Sequence, residues 1–273
     1  MDRWLFAHSD DRQLDYAAAA RDSGLDPNRL ASCLERPATY ARAEHESDAA
    51  YQHHFVGTPT YAYLYGAGYW DQANGFGVAL AVGAGGNDRA YLYDGPGNDV
   101  FVGTPPYAYL YGAGFWDQAN GIPVVMAYAT AGGTDQAALY DGPGNDVFVG
   151  TPTYAYLYGA GFWNQANGFK IVSGYSTGGS DTAYLYDSPG NDVFVATSTT
   201  SYLYGAGFFN QANGFAAVYA YSTGGSDTAY LYGSLTAADT FVDAGGYAYL
   251  YGNAFLALES GFGSLIVNPA ARR

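Results

Sequence analysis

The chain has 273 residues, enough to bury a sizeable core, and its 25 acidic against 10 basic residues give a net charge of −15. That balance argues against nucleic acid and anionic membrane surfaces, which need Lys and Arg, and leaves cations, basic partners or plain solubility. The single Cys33 excludes an intrachain disulfide and a two-cysteine redox centre, while 38 Gly and 29 Tyr fit many short strands joined by tight turns.

Residues 1–54 hold all four histidines, Cys33 and six of the ten basic residues, so composition shifts at Phe55. Gln13–Ser23 has helical composition with Gly24 as its stop. Asp26-Pro27 reads as an N-cap and first-turn proline for a second helix, and Ala38–His53 as a third. A short α-helical N-terminal cap is therefore expected over 1–54. Its first residues, MDRWLFAHSDDR, carry no signal-peptide apolar run, and no stretch is long and apolar enough for a membrane-spanning helix. The strings WLFAH at 4–8, LDYAAAARDSGLDPNRLASCL at 14–34 and VGTPT at 56–60 resemble part of the DsbA-like thiol oxidoreductases. That resemblance covers about the first 65 residues and implies a cis proline at Pro59. The Cys-x-x-Cys of those enzymes is absent, so the expectation is an inactive remnant or fusion.

From Phe55 onward the chain repeats. The string AYLY, or its variants AALY and SYLY, begins at residues 62, 90, 108, 137, 155, 183, 201, 229 and 248, so spacings of 28 or 29 alternate with 18 or 19. This is a tandem array over 55–273 of 46- or 47-residue units, starting near 61, 107, 154, 200 and 247, the last partial. The runs YAYLY, FKIVSGY and DVFV, bounded by Gly, Pro, Asn and Asp, are strand signals. The expected fold is mainly β, a β-solenoid with two coils per unit; the alternative is a β-propeller. Strand alternation sends the invariant Leu and small Ala to one face, expected to be the core, and the Tyr set to the other, where rings would form ladders. Asn74, Asn120, Asn167 and Asn213 each precede Gly and are expected at turns, with stacked amides in a corner as the more specific version.

Chemistry-bearing candidates are few. DGPGNDVFV at 94–102 and 141–149, and DSPGNDVFV at 187–195, place paired aspartates around a Pro-Gly turn: Asp94 and Asp99, Asp141 and Asp146, Asp187 and Asp192. Hard oxygen donors of this kind suit calcium, although turn formation alone also explains the motif. GGND, GGTD and GGSD lack the helix and lysine of a phosphate loop and read as turns. Trp70, Trp116 and Trp163 could stack on sugar rings, with core or ladder packing as the plainer reading. The array has no His or Cys, which removes most nucleophile–base pairs, and no catalytic residue is assigned.

The PGND turn followed by a β-branched strand resembles the nonapeptide of RTX (hemolysin-type) calcium-binding repeats, and residues 55–262 resemble Tyr- and Gly-rich bacterial surface repeats of that kind. The resemblance implies an extracellular or cell-surface, non-enzymatic structural or adhesive module, with calcium as a candidate stabiliser and no other cofactor. The alternatives are an aromatic-lined glycan- or ligand-binding module and the oxidoreductase remnant. Expected partners are a cell-surface or glycan ligand, or a second copy meeting the solenoid ends.

Overall fold

A computed structural model describes residues 61–66, 69–83, 85–234 and 239–268. The expected helical cap, Pro59, Cys33 and the four histidines lie outside these residues. The chain divides into two units, Met1–Val56 and Gly57–Arg273, and everything described belongs to the second.

The described residues are all strand and turn. The first unit gives β1 (Tyr61–Gly66), β2 (Tyr69–Asn74), β3 (Val78–Val82) and β4 (Arg89–Tyr93). Each later unit opens with a three-stranded meander: β5 (Val100–Gly103), β6 (Tyr107–Gly112) and β7 (Phe115–Asn120), then β8 (Val124–Tyr128) and β9 (Gln136–Tyr140). The pattern returns as β10 (Val147–Gly150), β11 (Tyr154–Gly159), β12 (Phe162–Asn167), β13 (Ile171–Tyr175) and β14 (Thr182–Tyr186). It returns again as β15 (Val193–Ala196), β16 (Thr200–Gly205), β17 (Phe208–Asn213), β18 (Ala217–Tyr221) and β19 (Thr228–Tyr232). β20 (Thr240–Asp243), β21 (Tyr247–Tyr251), β22 (Leu256–Ser260) and β23 (Ser264–Asn268) end the array.

The strands build one 12-stranded sheet, ordered β2-β1-β4-β8-β12-β11-β10-β14-β18-β22-β21-β20, and one 11-stranded sheet, ordered β23-β19-β15-β16-β17-β13-β9-β5-β6-β7-β3. Two continuous sheets wound by one chain make a β-solenoid of about five turns, not the separate four-stranded blades of a propeller. The path overshoots and returns. β10 runs parallel to β14, the chain folds back antiparallel through β11, and β12 then runs parallel to β8 of the preceding unit. Successive meanders fall in alternate sheets.

This corrects the expectation of two equivalent coils per unit. The AYLY strands of one unit, β11 and β14, flank β10 in opposite directions, and those 18 residues apart, β14 and β16, lie in different sheets. The antiparallel member is set by the short Gly-containing link after YAYLYG, which turns the chain straight back into the next strand with Gly114, Gly161 and Gly207 at positive φ.

Alternation places the core as expected. Leu92, Leu110, Leu139, Leu157, Leu185, Leu203, Leu231 and Leu250 are fully buried, and the small residue two positions before each, Ala or in one copy Ser201, is buried with them, while the intervening residue, Tyr in all copies but Ala138, lies on the outer face. Phe101, Phe148 and Phe194 fill the centre, in contact with Phe169, Phe215 and Phe262 of the following unit, with ring centroids 5.9–6.0 Å apart. Outside, tyrosines of parallel neighbours stack: Tyr93 on Tyr128 and Tyr140 on Tyr175 at 4.8 Å, Tyr184 on Tyr219 and Tyr186 on Tyr221 at 5.3 Å. These are close to the spacing between adjacent strands, as ladders require.

Candidate metal centres

Wherever the chain crosses from one sheet to the other at a PGND turn, three aspartates meet. Asp94 follows β4, Asp99 precedes β5, and Asp135 precedes β9, which runs parallel to β5 in a register that sets Val100 beside Gln136 and hence Asp99 beside Asp135. Asp141, Asp146 and Asp181 form the second group, and Asp187, Asp192 and Asp227 the third. Within each triad one carboxylate oxygen per residue lies within 4.8 Å of the others, and every member is at most 7% exposed. The triads alternate between the two edges of the solenoid, because the crossing runs from the 12-stranded sheet at β4–β5 and β14–β15 and toward it at β9–β10.

All six predicted aspartates are thus brought together, two to a triad. The third member of each comes from the GGTD and GGSD turns and was missed. Its signal was present, since both turn types end in an Asp directly before a strand, 35 or 36 residues apart. Asp88 of the first unit is buried as well but joins no triad among the described residues.

Backbone and hydroxyl donors hold each carboxylate. Asp94 accepts from the Thr130 and Ala131 amides, and Asp141 and Asp187 accept from the amide and hydroxyl of Thr177 and Thr223. The third aspartates accept from the backbone N–H of the second: Asp135 from Asp99 at 2.8 Å, Asp181 from Asp146 and Asp227 from Asp192 at 2.7 Å. Each triad therefore ties one turn to the next on both sheets. Around it, Asn98, Asn145 and Asn191 accept from the amides of Thr134, Ser180 and Ser226 in the stacked turn. The glycines permit this stacking: a Cβ on Gly133 would fall 1.6 Å from the Gly97 carbonyl oxygen, and φ is +115° there.

Oδ1 of Asp99 and of Asp192 is buried without a hydrogen-bond partner. In both it faces the glycine opposite, 1.5 Å from where a Cβ on Gly112 or Gly205 would stand, leaving a Cα–H···O contact in place of a hydrogen bond. The Asp146 Oδ1 meets Gly159 in the same way.

The electrostatics are adverse for carboxylates alone. Burial, and then the Asp135 and Asp94 charges, push the Asp99 carboxyl up to about 6. Burial also raises Asp135, Asp146 and Asp181, each further raised by a neighbouring aspartate. A divalent cation would relieve that repulsion. The donor set fits calcium, a hard ion taking roughly six to eight oxygens, with three supplied by the carboxylates and the rest left to carbonyls or water.

The remaining predicted positions fall elsewhere. Asn74, Asn120, Asn167 and Asn213 end their strands, and the following glycines, at φ of +64° to +77°, take the left-handed conformation. They do not stack on one another, since successive copies lie in different sheets; each accepts from the Gln two residues earlier, and Asn167 and Asn213 donate to the Ala127 and Gly174 carbonyls of the adjacent parallel strands β8 and β13. Trp70 and Trp116 are 51% and 37% exposed and Trp163 is half-buried, so the tryptophans belong to the outer face. Trp116 and Trp163 stack on Tyr109 and Tyr156 at 4.6 and 4.4 Å and donate to Gln118 and Gln165. Asp117, Asn164 and Asn210 sit in the core and not in a loop: Asn164 and Asn210 donate to the Thr104 and Thr151 carbonyls, which follow strands of the opposite sheet.

No known protein family, curated protein or solved structure matches this chain.

Proposed function

We propose that the array is a non-enzymatic structural or adhesive repeat module whose turns are clamped by calcium at the aspartate triads. The observation that carries this reading is the recurrence of one buried three-carboxylate cluster in three consecutive units. Catalysis breaks repeat symmetry, whereas a load-sharing clamp repeats; the triads repeat with their hydrogen bonds. Their position supports the reading too, since each bridges two turns and an ion bound only by the native fold stabilises it by mass action. The RTX-like PGND turn is consistent with a surface or extracellular setting, where calcium is abundant.

Thermal melting with calcium, with magnesium and with chelator tests the proposal. Calcium is expected to raise the midpoint by several degrees, with magnesium weaker because it demands tighter octahedral geometry. Equal midpoints in calcium and chelator would remove the ion from the account and leave a metal-free scaffold.

A second reading, glycan binding, is favoured by the exposure of Trp70 and Trp116 on aromatic outer faces. Glycan-array binding that is lost in Trp116→Ala would establish it, and silence on the array would end it. For the oxidoreductase remnant, an insulin-reduction assay is expected to show no turnover.

A further inference from the structure

Among the described residues, Tyr140 and Tyr175 are the closest stacked tyrosine pair that has no third ring in contact; Tyr184 with Tyr219 and Tyr186 with Tyr221 also pair alone, but at 5.3 Å. The Tyr140 and Tyr175 rings lie 4.8 Å apart at 12°, and among the described residues the ring contacts of each are with the other alone. The cause is the one departure from AYLY in this region: Ala138 replaces the Tyr of AYLY, and its parallel neighbour in β13 is Ser173, so no further ring adjoins the pair. Tyr140 is 36% exposed and Tyr175 partly so. The other pair at 4.8 Å, Tyr93 and Tyr128, runs into a longer cluster through Tyr91, and the Tyr128 hydroxyl donates to the Met126 sulfur, itself an oxidisable group.

We propose that Tyr140 and Tyr175 are a site of intramolecular dityrosine formation when a one-electron oxidant, such as a haem peroxidase supplied with hydrogen peroxide, acts on the protein. Each phenol gives up one electron and one proton to become a phenoxyl radical. The two radicals join through a new Cε–Cε bond, and the hydrogens on those carbons return to the phenol oxygens as the rings regain aromaticity. The two electrons and two protons removed reduce one peroxide to two waters. The geometry favours coupling over escape. The rings are nearly parallel at strand spacing, the in-register β9–β13 pairing holds Tyr140 beside Tyr175, and no third ring is in contact to carry the radical away. The resulting bond joins residues 35 positions apart in chain order, so it closes a loop around one turn of the solenoid and restricts the unfolded chain as a disulfide does. A chain with one cysteine has no disulfide to serve that purpose.

The test is oxidation of the full chain at low micromolar concentration with peroxidase and hydrogen peroxide, followed by proteolysis and mass spectrometry. The expected result is a dityrosine-linked peptide pair containing Tyr140 and Tyr175, with no change in molecular size. Tyr175→Phe keeps the ring stack and is expected to lose that peptide pair while melting like the wild type before oxidation. After oxidation only the wild type should melt higher. Cross-links confined to other tyrosines, links only between molecules, or no coupling where free tyrosine couples would each overturn the proposal.

Discussion

Gly112 shows how one residue controls a triad. It stands opposite Asp99, just beyond the paired Val100 and Tyr111, and its missing side chain is the space the Asp99 carboxylate occupies. Gly159 and Gly205 do the same for Asp146 and Asp192. From sequence, the Gly closing YAYLYG passes for an ordinary turn residue; only the register reveals it as the partner of an acid two strand ends away. Gly112→Ala is expected to cost about 1–3 kcal/mol by overpacking and to abolish the calcium response of the first triad, read from urea melts with and without calcium.

Asp117 is a second case at this scale. Its counterparts Asn164 and Asn210 each donate an amide hydrogen bond across the core, which an ionised carboxylate cannot do. The Asp117 carboxyl is buried with Oδ2 unpartnered, and burial pushes it up to about 7 against the opposing effect of the Ala79 amide. A folded-state value above the unfolded one means that the native protein binds the extra proton. The contribution to stability is then full below about pH 4 and is lost as pH rises through about 7. Asp117→Asn is expected to be more stable than wild type by about 1–3 kcal/mol at pH 8, with the difference shrinking toward pH 5, in parallel urea melts. Asp99, raised to about 6, adds a loss of the same sign between about pH 4 and 6. Calcium should remove the Asp99 share by favouring the ionised form and leave that of Asp117 untouched.

At the scale of the element, the informative unit is a pair of stacked turns. The PGND turn declares its two aspartates in nine residues of sequence, whereas the third lies 35 or 36 residues on and becomes a neighbour only through parallel pairing of β5 with β9, β10 with β14, and β15 with β19. The site was therefore two-thirds legible. The missing third was hidden because GGSD is by itself a sufficient turn. Asp181→Asn tests the joint role of the two turns. An amide still accepts from the Asp146 N–H, so the turn should persist, and without calcium the variant should melt at or slightly above the wild-type midpoint because one like charge is gone. With calcium its stabilisation should fall by roughly one third, one of three equivalent clamps having been weakened. An unchanged calcium response in scanning calorimetry would place the ion elsewhere.

Over the whole molecule, the repeat period, the strand content and the inward face of AYLY were all readable, while the winding was not. Alternating small, aromatic, leucine and aromatic residues looks the same from either end, so the pattern fixes which face is buried and says nothing about strand direction. Direction is set by the connections, a short glycine link for the antiparallel return and a PGND or GGSD turn for each crossing between sheets. The resulting array has a graded interior, because each unit is packed by the next. Phe101, Phe148 and Phe194 are fully buried, but the equivalent Phe241 is 36% exposed, and at the other end Val78, Leu80 and Val82 of the edge strand β3 are 56–70% exposed. Stability in such an array is close to a sum of unit and nearest-neighbour contributions, so the ends should open without the middle. Amide exchange followed by mass spectrometry is expected to show β9–β15 as the slowest region, with β2–β3 and β20–β23 faster by at least ~100-fold, corresponding to about 2.7 kcal/mol of local stability. Calcium should slow the centre more than the ends, since the three complete triads span Asp94 to Asp227 while Asp239, the counterpart of Asp192 in the last unit, stands where Gly233 has replaced the first aspartate. Uniform protection from β2 to β23 would instead mean that the sheets open only as one cooperative body, and that the end units borrow their stability from packing beyond nearest neighbours.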